Sequence, residues 1–220
     1  MNNIIPKGIG RSGTTLLRMV LMDLFNTEFL PLGFVSDNYR CIIDNSKCHE
    51  YGHINKGDIC FLAVRDIREV IVSRIRTNSD LASNSIITPE QLFKELDNQS
   101  ELQRQLKHFS RFIDNYNPIL VRYENVDNNI NHIFDLVEEN LNVVINEETK
   151  KIINKKHCKE AVMERQHKLK NFSEWEHHYM VHGHHISKNK TDWKNLIPKE
   201  LHKEMNPILD PYLKKLGYEI

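Results

Sequence analysis

"GIGRSGTT", residues 8 to 15, is the stretch on which the fold turns. It satisfies two phosphate-binding patterns at once. As G-x-G-x-x-G it is a turn for a dinucleotide pyrophosphate. As G-x-x-x-x-G-K-[ST] it is a P-loop in which Thr14 stands at the lysine position. Its flanks agree with either pattern. Residues 3 to 9 read as a short buried strand. Residues 14 to 25 read as a helix, with Leu17, Val20, Leu21, Leu24 and Phe25 on one face. The turn therefore joins a strand to a helix N-terminus, where backbone N–H groups and the helix dipole favour an anion.

Further along, "DICFLAV" (58 to 64) reads as a buried strand, and Asp66 starts a helix as N-cap, with Glu69 completing a capping box. Pro89 fits the first position of a long helix whose apolar face runs on through Leu102, Leu106, Phe109 and Ile113. "PILVRY" (118 to 123) is another strand. Ile130, Ile133, Phe134, Val137 and Leu141 mark a helix, and residues 147 to 157 a further one. "TEFLPL" (27 to 32) is a candidate strand. Residues 33 to 57 and 158 to 195 read as irregular. Residues 198 to 218 read as one or two helices broken by proline. Strands alternating with helices predict a three-layer α/β/α fold with a central parallel sheet, P-loop-NTPase-like, in a single domain over residues 1–220.

The 220 residues carry 30 basic and 30 acidic side chains, so the formal net charge is zero. That balance argues against a nucleic-acid surface. No apolar run is long enough to span a bilayer. Four cysteines (Cys41, Cys48, Cys60 and Cys158) lack C-x-x-C spacing and read as free thiols of a reducing compartment. The expectation is a soluble cytoplasmic protein that binds neither nucleic acid nor membrane. Nothing in the sequence reads out an oligomeric state.

The loop itself supplies a positive charge, Arg11, and the hydroxyls of Ser12, Thr14 and Thr15. A hydrogen bond to a charged group is worth roughly 1.5–3 kcal/mol, so the loop has donors enough for a phosphate without a metal. Arg65 closes a strand at the end where open α/β sheets bind ligands, and arginine is the natural bidentate partner of phosphate. It has a competing use as an ion-pair partner of Asp66 or Glu69.

Taken in order, "GRSGTTLL" (10 to 17), "KCHE" (47 to 50), "VRDIREVIVSR" (64 to 74), "VRYENV" (121 to 126) and "HISKNKTDWKNLIP" (185 to 198) resemble the sulfotransferases that use 3′-phosphoadenosine-5′-phosphosulfate, PAPS. The resemblance covers most of the chain in short islands. It implies a sheet of about five strands. It implies that Arg11, Ser12, Gly13, Thr14 and Thr15 hold the 5′-phosphosulfate, with Thr14 the family's usual residue. Arg65 and Ser73 would hold the 3′-phosphate, helped by Lys188 and Lys190. Tyr123 would lie against the adenine. Lys47 would steady the sulfuryl oxygens and His49 would act as general base, with His53 as fallback; a histidine of near-neutral pKa suits that task. The acceptor would be a hydroxyl on a small molecule or carbohydrate.

The chain departs from the family in two places. Leu16 stands where several members carry a tryptophan. "SKNKTDWK" keeps Asp192, Trp193 and Lys194 but lacks the family's arginine and two glycines. His178 and His182 have the i, i+4 spacing of zinc pairs, yet no third ligand is well spaced, so residues 177 to 185 read as a lid and no metal is expected. Two other readings stay open: a nucleotide kinase or NTPase with a degenerate Walker A motif, and a dinucleotide-binding module with Glu28 at about ribose distance.

Overall fold

In chain order the elements are β1 (Asn2–Gly8), α1 (Thr14–Leu24), β2 (Tyr39–Cys41), β3 (Ile59–Val64), α2 (Ile67–Ser79), α3 (Pro89–Leu96), α4 (Glu101–Tyr116) and β4 (Ile119–Arg122). Then come α5 (Tyr123–Val126), α6 (Asn131–Leu141), α7 (Glu147–His157), α8 (Lys159–His167), α9 (Trp193–Leu196) and α10 (Lys199–Lys215). The computed structural model describes residues 2–25, 38–42, 54–79, 85–127, 129–169, 174 and 192–220. The candidate strand at 27 to 32 lies outside them.

The four strands form one parallel sheet in the order β2-β1-β3-β4. Ile4 pairs with Ile59 and Gly8 with Ala63, so β1 and β3 lie side by side along their length. Phe61 to Val64 then pair with Ile119 to Arg122. Successive side chains of a strand face opposite ways, and β3 shows it. Cys60, Leu62 and Val64 enter one core with α2, α3, α4, α9 and α10. Phe61 and Ala63 enter the other, with α1, α6 and α7. Helices thus cover both faces, as the sequence predicts.

The topology also fixes where a ligand can sit. From β1 the chain crosses outward to β2, whereas from β3 it crosses the other way to β4. The crevice between the C-terminal ends of β1 and β3 is therefore the switch point of the sheet. The glycine-rich loop leaves one of those ends and Arg65 leaves the other.

Five local expectations are corrected. Tyr39–Cys41, in a stretch that reads as irregular, is an edge strand paired to Asn2–Ile4. The long helix after Pro89 is two helices. Asp97 accepts the Gln99 N–H at 2.7 Å, and Ser100 caps α4 by accepting the Gln103 N–H. Residues 159 to 167 are helical rather than irregular. Pro207 and Pro211 sit inside α10 without breaking it. Both prolines are exposed, as is Lys203, whose carbonyl loses a partner, while Leu201, Met205, Leu209 and Leu213 anchor the opposite face. Finally, Asp66 caps α2 through the Arg68 N–H, but Glu69 does not close the box: the Asp66 N–H donates to Glu124 instead.

Candidate functional site

The loop between β1 and α1 takes its shape from two residues in left-handed conformation, Arg11 (φ 74°) and Gly13 (φ 86°). Gly13 is also sterically obligatory, because a Cβ there would lie 2.4 Å from Cδ2 of Tyr123. Ser12 is fully buried. Its hydroxyl lies 2.7 Å from the Ile9 carbonyl oxygen and 2.9 Å from that of Ala63 on β3. Thr14 Oγ1, also buried, lies 3.3 Å from that hydroxyl. The Ser12 hydroxyl holds the loop to the sheet, and that of Thr14 packs beside it within the loop. No side chain caps the N-terminus of α1, an 11-residue helix that starts at Thr14, and the first N–H groups of any helix lack partners within it. Thr15, half-buried, stands on that first turn.

Arg65 reaches over the loop from the end of β3. Its Nη1 donates to the Arg11 carbonyl at 3.4 Å, and its guanidinium carbon lies 4.6 Å from the centre of the Tyr123 ring. It also pairs with Glu69 at 3.6 Å, so the competing ion pair is present, though loose. Tyr123 opens α5 directly after β4 and donates its hydroxyl to Asp127 at 2.6 Å. Burial, and then that bond, raise its pKa, so the phenol stays neutral. Tyr123 thus links the loop to Arg65: its Cδ2 edge abuts Gly13 and its ring carries the guanidinium.

The Arg11 side chain runs towards α2 and donates to the Thr77 hydroxyl. Thr77 in turn donates to the Ser73 carbonyl one turn earlier. Arg74 lies on the same helix, paired with Glu95 at 2.8 Å and Glu101 at 3.4 Å. Burial, then Arg74, then Arg65 lower the Arg11 pKa to about 10. Three guanidinium groups are thus gathered around one loop.

The C-terminal island docks against the same corner. Asp192 caps α9. The Trp193 N–H donates to Glu69 Oε1 at 2.9 Å, and the Trp193 ring lies under Arg68, 4.4 Å from its guanidinium carbon. Glu69 is therefore shared between Arg65 and the C-terminal segment, and burial holds its carboxyl above the usual range.

Of the residues that the sequence singles out, the fold brings Arg11, Ser12, Gly13, Thr14, Thr15, Arg65 and Tyr123 together, with Ser73 a turn from Thr77 on the neighbouring helix. Lys47, His49, His53, Lys188, Lys190 and residues 177 to 185 lie outside the described residues. From the sequence, Glu69 reads only as a capping residue and an ion-pair partner of Arg65, and Thr77 is not singled out. The one available cue was helical spacing, since 69, 73 and 77 share a face of α2. Among the described residues no three His, Cys, Asp or Glu side chains group as a metal site. No helix among them is long and apolar enough to cross a membrane, and Cys41, Cys60 and Cys158 are free thiols.

The four-stranded all-parallel sheet with helices on both faces is consistent with a sulfotransferase P-loop-like fold. The likeness extends to a solved structure, mouse sulfotransferase SULT7A1 in complex with PAP. It has a TM-score of 0.61 and 12% identity, over 96% of this chain and 84% of that one. At that identity the likeness is one of fold. No protein-family model matches the chain, nor does any curated protein.

Proposed function

We propose that the chain is a sulfotransferase, moving a sulfuryl group from PAPS to a hydroxyl acceptor and releasing PAP. The observation that carries this is the gathering of Arg11, Arg65 and Arg74 at the loop: Arg65 donates to the Arg11 carbonyl, and Arg74 Nη1 lies 3.8 Å from where a Cβ on Gly10 would be. Like charges gathered in a partly buried place raise one another's cost. An anion with two phosphate groups relieves it. The loop and the uncapped α1 N-terminus suit one of those groups, and Arg65 suits the other. The PAP held by SULT7A1 is an anion of that kind.

In this reading Arg11, Ser12, Gly13, Thr14 and Thr15 make the cradle for the 5′-phosphosulfate, and Arg65 and Ser73, with Lys188 and Lys190, hold the 3′-phosphate. Tyr123 offers its ring to the adenine. The acceptor oxygen attacks sulfur while His49 takes its proton. The bond from sulfur to the 5′-phosphate oxygen breaks, and its electrons leave with PAP. Lys47 steadies the sulfuryl oxygens, and Arg11 faces the oxygen on which charge develops. The acceptor is a small molecule or carbohydrate hydroxyl, no metal takes part, and the enzyme works in the cytoplasm as a single domain.

Calorimetric titration with PAP, ATP and NAD, with and without magnesium, tests the reading. PAP should bind without magnesium. Arg65→Ala should weaken PAP about tenfold to a hundredfold, the loss of charge-assisted hydrogen bonds. His49→Ala should abolish transfer, followed as sulfated product by mass spectrometry, while PAP affinity persists. Binding of ATP only with magnesium, or of NAD in preference to PAP, would replace this reading with a kinase or a dinucleotide-binding module.

A further inference from the structure

The loop is pinned on two sides. On one, Ser12 bonds to β3. On the other, the Gly10 N–H donates to Oε1 of Gln105 at 3.2 Å, across 95 residues of sequence. Gln105 lies on α4 and is 7% exposed. Its own Nε2 donates to Glu101 Oε1 at 2.9 Å. Glu101 meets Arg74, and Arg74 meets the buried Glu95. The orientation of the amide is fixed by chemistry. Turned over, its NH₂ would face the Gly10 donor and its oxygen would face a carboxylate.

We infer that Gln105 is a positioning residue for the phosphate loop: it occupies the Gly10 N–H and, with Ser12, brackets Arg11 between two fixed points. This rests on the reading of that loop as the donor's cradle. Three consequences follow. The left-handed conformation of Arg11, which costs an unconstrained residue of order 1–3 kcal/mol, is held by its pinned neighbours. The Gly10 donor is spent within the protein, so the cradle begins at later N–H groups of the loop and helix. And the loop is tied to α3 and α4 through one polar chain, so changes there reach the anion without touching it.

Gln105→Met keeps length and volume but neither accepts nor donates. It should speed hydrogen exchange at the Gly10 amide at least about tenfold and weaken PAP about threefold to tenfold, the effect of one lost hydrogen bond. The double variant Glu101→Gln/Gln105→Glu reverses donor and acceptor while keeping the net charge. It should restore both readouts, which a purely space-filling role would not. Glu101→Ala, which frees the amide without removing it, should shift both the same way by less, and serves if the methionine variant does not fold. Unchanged Gly10 exchange and PAP affinity in Gln105→Met, or a double variant that restores neither, overturns the inference. If the native chain binds no PAP, the functional reading falls, and Gly10 exchange alone decides the role of Gln105.

Discussion

The three glycines of the loop look equivalent in sequence, but alanine should separate them. A Cβ on Gly10 meets nothing closer than 3.7 Å, and its φ is not positive. Gly10→Ala should thus be neutral or stabilise by about 0.4–1 kcal/mol, through the unfolded chain. Gly13 differs in two respects: φ is 86°, and the new Cβ would meet the Tyr123 ring at 2.4 Å. The backbone term costs about 1–2 kcal/mol. Moving the ring also forfeits its contact with Arg65, worth about 0.5–2 kcal/mol. Gly13→Ala should therefore cost about 1.5–4 kcal/mol, these two terms combined. Gly57 supplies the control, with φ 101° and nothing within 4 Å, so Gly57→Ala should show the backbone term alone. Gly8 has no backbone term, but its Cβ would fall 2.2 Å from Thr14 Oγ1 and 2.9 Å from Ser12 Oγ; overpacking of that kind typically costs about 1–3 kcal/mol. Urea unfolding midpoints for the four variants give the order directly. Should Gly13→Ala cost no more than Gly57→Ala, Tyr123 does not pack on the loop as described. Should Gly10→Ala cost as much as Gly13→Ala, the loop geometry is wrong.

Further outcomes can be checked by the same unfolding measurements. Burial raises the Glu69 carboxyl pKa, so the folded chain holds that proton more tightly than the unfolded one, and stability is lost as pH rises through the folded value. Glu69→Gln keeps an acceptor for Trp193 and should be the more stable protein near neutral pH, with the gap closing as pH falls into the ordinary carboxylate range; a gap of the opposite sign refutes this. His157 is buried against Asp23 at 2.7 Å, with Lys156 and Arg165 also facing it, and burial lowers its pKa below 6.5 despite Asp23. The unfolded chain then takes up the proton first, so stability should decline as pH drops below about 6.5. His157→Gln should flatten that slope, and parallel pH profiles would count against it. Pro211→Ala restores a backbone donor on the exposed side of α10 and should stabilise, by up to about 3 kcal/mol, the cost of an interior helical proline; destabilisation would show that the ring itself supports the helix.

Elements whose own residues carry the pattern were legible in the sequence. β3 is a run of buried apolar residues, β1 and β4 carry short apolar stretches, Ile4–Ile5 and Ile119–Val121, and α1 and α6 repeat apolar positions at helical spacing. β2 was not legible, because three residues at a sheet edge owe their form to main-chain bonds with β1. The break between α3 and α4 was hidden because the apolar period runs on across it. α8 was missed because only Val162 and Gln166 of its nine residues are buried.

The sequence by itself determined the α/β class, the glycine-rich turn and an arginine at a strand end, since these follow from short-range spacing. Only the tertiary structure decided what surrounds them. The β2-β1-β3-β4 order sets the loop beside Arg65, Tyr123 packs against Gly13 from the start of α5, Trp193 reaches back to Glu69, and Gln105 holds Gly10 from α4. Spacing along a chain fixes which face a residue presents within its own element. Which residue meets it from another element is set by how the sheet and its helices pack.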